Sequence, residues 1–229
     1  MVKYLDDFFD WFLGFNEFLT SLKLMSLIQI FGAIATIALA IFAWMGLKTW
    51  KNQTRTQIHL KFIDDLNDAV NGYIMAMNYP VQLVWHLEIA IKSYTEVEIS
   101  NGNEGENDGF IKYIERHGEE TGKKLFEHLE KVRPFISKIR SLRTKGQIFN
   151  FSNYRETYHA CEKLLLSHDL ISGFAGLVGD PHMNWENELV KKNLTSFRNI
   201  KSSDIQKDLG KHNIVILKFS KEIYEQLLK

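Results

Sequence analysis

Leu24 to Leu47 reads LMSLIQIFGAIATIALAIFAWMGL, and no charged residue falls between Lys23 and Lys48. At about 1.5 Å per residue a helix over this run is about 36 Å long, against a hydrocarbon core of about 30 Å. The run therefore predicts a transmembrane helix over 24–47 that spans a bilayer with moderate tilt. Trp44 and Trp50 stand near its C-terminal end, where interfacial aromatic residues gather. A helix buried in a soluble core rarely runs this far without one charge. A cleaved signal peptide starts basic and has a shorter apolar region. Here Asp6, Asp7, Asp10 and Glu17 outnumber Lys3 and Lys23, so the reading is an uncleaved anchor.

Residues 1–23 form a second pattern. Leu5, Phe8, Phe9, Phe12, Phe15, Leu19 and Leu22 recur at helical spacing, with Lys3, Asp7, Asp10, Gly14, Glu17 and Ser21 on the other side. This predicts an amphipathic helix that lies in the interface or packs on protein. Its negative charge argues against attraction to anionic lipid, which leaves attachment to apolar burial. The flanks of the apolar run also predict orientation. Lys48, Lys51, Arg55 and Lys61 follow it before the first acid, Asp64. The positive-inside bias then puts the N-terminus outside and the C-terminal domain in the cytosol, which for a bacterial protein means an inner-membrane anchor.

Beyond the run, 48–229 reads as an all-α cytosolic domain, a bundle of about five or six helices. Ile58, Phe62, Leu66, Ala69, Tyr73 and Met77 step by threes and fours toward Pro80, and no breaker separates this helix from the span. A second helix follows on Leu83, Leu87, Ala90, Ile91 and Tyr94. Asn101 to Gly109, NGNEGENDG, is a loop by its turn chemistry. A long helix over about 110–145, kinked at Pro134, comes next, then one marked by Tyr154, Tyr158, Cys161 and Leu165. Gly173 to Pro181 reads as a break. A short helix around Trp185–Ile200 and a final one over Ile205–Leu227 complete the chain. There is no alternating strand pattern.

With 28 basic and 28 acidic side chains the formal charge is zero, so no bulk attraction to nucleic acid is expected. The single cysteine, Cys161, permits no internal disulfide. Gly118 to Lys124, GEETGKK, is one residue short of a phosphate-binding loop and lacks the following Ser or Thr. Glu106 and Lys112 stand where a calcium loop needs Gly and Glu. His159, His168 and Cys161 lack zinc-ligand spacing. No catalytic, cofactor or metal residues are assigned on these patterns. Arg155-Glu-Thr-Tyr-His159 resembles the Arg and His pair of helical ribonucleases of the HEPN family, which place four to six residues between the two. Here only three intervene, and an ordinary surface pair is the plainer reading.

Two faces stand out as candidates. Gln29, Gly32, Thr36, Ala40 and Ala43 fall along one side of the apolar helix, a small-residue stripe suited to helix–helix association. Lys131 to Lys145, KVRPFISKIRSLRTK, carries Lys131, Arg133, Lys138, Arg140, Arg143 and Lys145 with no acid. Such a segment binds anionic surfaces, or is the solvated face of a buried stripe.

Trp50-Lys-Asn-Gln-Thr and FIDDLNDAVNGYIMAMNYP, Phe62 to Pro80, resemble a loose group of small bacterial membrane proteins. In these a membrane helix runs into a helical cytosolic domain, and some are encoded with retrons or other anti-phage systems as membrane effectors. The resemblance covers residues 24–80 and carries over no functional residues. It implies a membrane-anchored effector that oligomerises in the lipid bilayer when a restraining or sensing partner, protein or nucleoprotein, releases it. A non-enzymatic scaffold or sensor anchor, and a membrane-tethered HEPN-like ribonuclease, are the alternatives.

Overall fold

The first helix runs from the apolar segment to residue 100 without a stop, through both the Asn71–Gly72 pair and Pro80. A computed structural model describes residues 22–100 and 107–228, together with Gly14, Phe15 and Glu17. Most of the amphipathic pattern over 3–22 and most of the NGNEGENDG segment therefore lie outside the described residues. Helix α1 spans Leu22–Ser100, 79 residues. After it come α2 (Asp108–Tyr113), a π-helical turn (Ile114–Gly118), α3 (Glu119–Glu130), α4 (Arg133–Phe149), α5 (Tyr154–Val178), α6 (Glu188–Arg198) and α7 (Ser202–Leu227). The fold is all-α, with no strand among the described residues. The chain divides into two units, Met1–Gln57 and Ile58–Lys229.

Three expectations about breaks are corrected. Pro80 does not separate two helices: it sits inside α1. A mid-helix proline removes one backbone hydrogen bond and costs about 3 kcal/mol. Here the buried stripe continues in step on both sides of it, through Val70, Tyr73 and Met77 before and Val81, Val84 and Leu87 after, all almost fully buried. At about 1.5–3 kcal/mol for each large apolar side chain, that burial outweighs the lost bond. Pro134, by contrast, starts a helix rather than kinking one. The chain breaks at Lys131–Val132 and Pro134 falls in the first turn of α4, where a missing N–H costs nothing. Gly173 and Gly176 lie inside α5, which ends only at Val178 with Gly179 as its C-cap.

Within Ile58–Lys229 the helices are tied by specific polar bonds as well as by the core. The Tyr73 hydroxyl donates to the Leu164 carbonyl at 2.6 Å, joining α1 to α5. The Ser220 hydroxyl donates to Asn67 at 2.8 Å, joining α7 to α1, and the Tyr224 hydroxyl bonds Asp64. α3 and α5 touch at two glycines, Gly122 and Gly179, which let their backbones meet. α4 ends on Asn150, held in the left-handed region at φ 52°, a conformation that Asn tolerates better than most residues. That residue reverses the chain into α5.

Candidate functional site

The apolar run occupies the first part of α1. From Ile28 to Trp50 every side chain is exposed except that of Ala38, which is half-buried. α1 holds the one stretch among the described residues long and apolar enough to cross a membrane, and none of it is buried against protein. Gln29, Gly32, Thr36, Ala40 and Ala43 are all exposed along it. A side chain added at Gly32 meets nothing within 4 Å. The Thr36 hydroxyl donates to the Gly32 carbonyl at 2.8 Å. Lys48 places its ammonium 5.5 Å from the centre of the Trp44 ring, a cation–π contact at the end of the run.

The basic segment is not one patch. Ile136, Ile139, Leu142 and Gly146 are the buried side of α4. At about 100° per residue, Arg133 and Arg140 fall on one flank of that stripe, while Lys138 and Lys145 fall on the other. Arg133 pairs with Glu130 at 2.8 Å and Lys138 with Asp65 at 3.8 Å. Arg143 is half-buried, with its guanidinium 4.6 Å from the centre of the Tyr158 ring. Lys131, Arg140 and Lys145 are exposed and pair with no acid among the described residues.

Arg155 and His159 share one face of the first two turns of α5, and both are exposed. The His159 Nδ1 lies 3.4 Å from a Glu162 carboxylate oxygen. Both residues line a cleft of about 500 Å3 with Tyr158 of the same helix, and its other walls come from the end of α4 and the turn after it, including Gln147 and Phe151. Spacing along the chain does not bring Gln147 and Phe151 beside Arg155, Tyr158 and His159. Asn150 does so, by folding α5 back beside α4. The GEETGKK segment is helical, so it forms no phosphate loop. Among the described residues no group of three or more His, Cys, Asp or Glu side chains is placed to hold a metal ion.

Behind the cleft the groups are apolar in their surroundings. Burial holds the Tyr154 hydroxyl well above its ordinary range. It donates to the Arg143 carbonyl at 2.9 Å. Burial also pushes the Cys161 thiol up to about 12, which keeps it protonated and unreactive. Comparison of the chain with protein-family models, with curated proteins and with solved structures finds no match.

Proposed function

We propose that the protein is a membrane-anchored effector. Its apolar helix spans the bacterial inner membrane, its N-terminus faces outward, and residues 48–229 lie in the cytosol. One observation carries this reading: the apolar side chains between Ile28 and Trp50 are left exposed rather than buried in a protein core. Each large one, such as Phe31 or Phe42 at about 70% exposure, gains roughly 1.5–3 kcal/mol on leaving water, and a bilayer is the solvent that supplies this. The basic flank after the run supports the orientation. Exposed small residues on α1 support assembly of several copies in the membrane, with perturbation of the bilayer as the output and a protein or nucleoprotein partner as the restraint.

Two measurements test it. Alkaline phosphatase fused to the C-terminus is inactive under this orientation, and strong activity there overturns it. Induced expression collapses a membrane-potential dye signal. A stable signal in cells that carry the protein in their membranes leaves the alternative of a scaffold or sensor anchor, and degraded cellular RNA with an intact potential points instead to a ribonuclease.

A further inference from the structure

The cleft between the end of α4 and the start of α5 carries features of an anion site that the membrane reading does not use. Arg155 is exposed and has no acidic partner among the described residues. One turn on, His159 lines the same cleft. The helix behind them starts without a cap. Asn153 stands at the N-cap of α5, yet its side chain makes no capping bond and donates instead to Glu222 at 3.2 Å. The Tyr154 N–H donates to the Phe151 carbonyl at 3.3 Å, and Glu156, the acidic residue of the first turn, lines a separate depression with Asn153 and Thr157. Tyr158 adds a planar wall. The guanidinium of Arg143, which does not itself line the cleft, lies 4.6 Å from the centre of that ring.

We propose that this cleft binds an organic phosphate, its phosphate group on Arg155 and His159 and its planar part against Tyr158. Arg offers a fork of N–H donors that matches phosphate oxygens two at a time, and the His159 ring adds an N–H donor one turn on. Tyr158 offers the offset stacking that a nucleobase accepts. A volume of about 500 Å3 suits one mononucleotide. Glu162, beside His159, repels a ligand that extends along α5 and keeps the phosphate near the helix start. The proposal stands whether or not the span perturbs membranes.

The test titrates the full chain in detergent micelles into mant-AMP, a fluorescent mononucleotide, and follows anisotropy. A saturable rise is expected. Arg155→Ala should weaken it about tenfold, and His159→Gln by several-fold, consistent with loss of one charged hydrogen bond. Arg133→Ala, away from the cleft, should leave it unchanged, and all variants should melt like the parent. AMP and inorganic phosphate should displace the probe, and adenosine should not. Displacement by short-chain phosphatidylglycerol at lower concentration than AMP keeps the phosphate site and assigns it to a lipid headgroup. No saturable signal up to about 1 mM probe, the weak end of specific binding, overturns the proposal. So does unchanged binding in Arg155→Ala, or competition by adenosine equal to that by AMP.

Discussion

The Tyr73 hydroxyl reaches from α1 to the Leu164 backbone carbonyl of α5, with the whole Tyr73 side chain removed from water. Tyr73→Phe keeps the ring and removes the bond. The carbonyl retains its helical acceptor role, so the net loss should be about 1 kcal/mol. For a chain of this size that lowers the melting temperature by about 2–4 °C. Circular-dichroism melting of the full chain in detergent measures it. No change would mean that ring packing alone ties these two helices.

The apolar run and the helical class were legible in the sequence, because both depend on composition and period over many residues. Breaks were not. Pro80 carries a strong local signal for a stop, yet the apolar face that continues from Met77 to Val81 overrides it, and that face gains its value only from helices distant in sequence. Gly173 and Gly176 were equally misleading inside α5. The two candidate faces were readable as lists of residues but not as arrangements. Arg143 and Arg140 look alike in the sequence, and only the packing of α4 on α5 separates a half-buried guanidinium on Tyr158 from an exposed one. The grouping of Arg155, His159 and Tyr158 with Gln147 depends on the turn at Asn150.

Gly122 and Gly210 make opposite predictions for the same substitution. A Cβ at Gly122 would run into the backbone of Gly179, with the Ala175 carbonyl beside it. Backbone cannot rotate away, so Gly122→Ala should cost about 2–3 kcal/mol through a forced separation of α3 and α5. At Gly210, inside α7, a Cβ meets nothing within 4 Å. Gly210→Ala should stabilise by up to about 1 kcal/mol from helix propensity. Parallel melting curves of the two variants check both signs at once.

Stability should fall on the alkaline side. Burial raises the Cys161 thiol from 9.0 to about 12, partly offset by Arg143, and burial raises Tyr154 as well. In the unfolded chain these groups release protons at lower pH than in the fold. The unfolded state then binds fewer protons, so the stability they contribute is full below about pH 9 and is lost as pH rises beyond it. Each contributes a slope of at most about 1.4 kcal/mol per pH unit. Cys161→Ala should make the decline above pH 9 shallower, read from denaturant midpoints across a pH series. A thiol reagent should modify Cys161 only as the protein unfolds.

Arg140 and Arg143 separate charge from packing. Arg140→Glu changes an exposed side chain, and its melting temperature should match the parent within the spread of surface substitutions, about 0.5 kcal/mol. Arg143→Glu removes the cation held over Tyr158 and leaves a carboxylate half-buried there, which should cost about 2–3 kcal/mol. Lipid binding by this segment is therefore best tested with Lys131, Arg140 and Lys145 reversed together and Arg143 retained. Flotation with anionic vesicles measures that binding, at about 1 kcal/mol for each charge near the surface.

The last prediction concerns assembly through the span. Thr36 already donates its hydroxyl to the Gly32 carbonyl one turn back. It is thus a poor donor across a helix interface, and Thr36→Val should weaken association little. Gly32 differs. Its surroundings in the chain are empty, so Gly32→Leu disturbs nothing within one copy, and any effect it has reports on contact with another. Close approach of two backbones needs a small residue there, and four added carbon atoms prevent it. Gln29 is the remaining free polar group on this face, an exposed amide in a segment that hydrocarbon would surround. An amide there seeks a partner on a neighbouring helix, worth about 0.6–2 kcal/mol. The expected order of damage is therefore Gly32→Leu, then Gln29→Leu, then Thr36→Val. Crosslinking in native membranes gives the oligomer fraction for each, and the membrane-potential dye gives the output. Equal crosslinking in all three variants removes this face from the interface. Lost oligomers with an undiminished collapse of potential would separate assembly from the membrane effect.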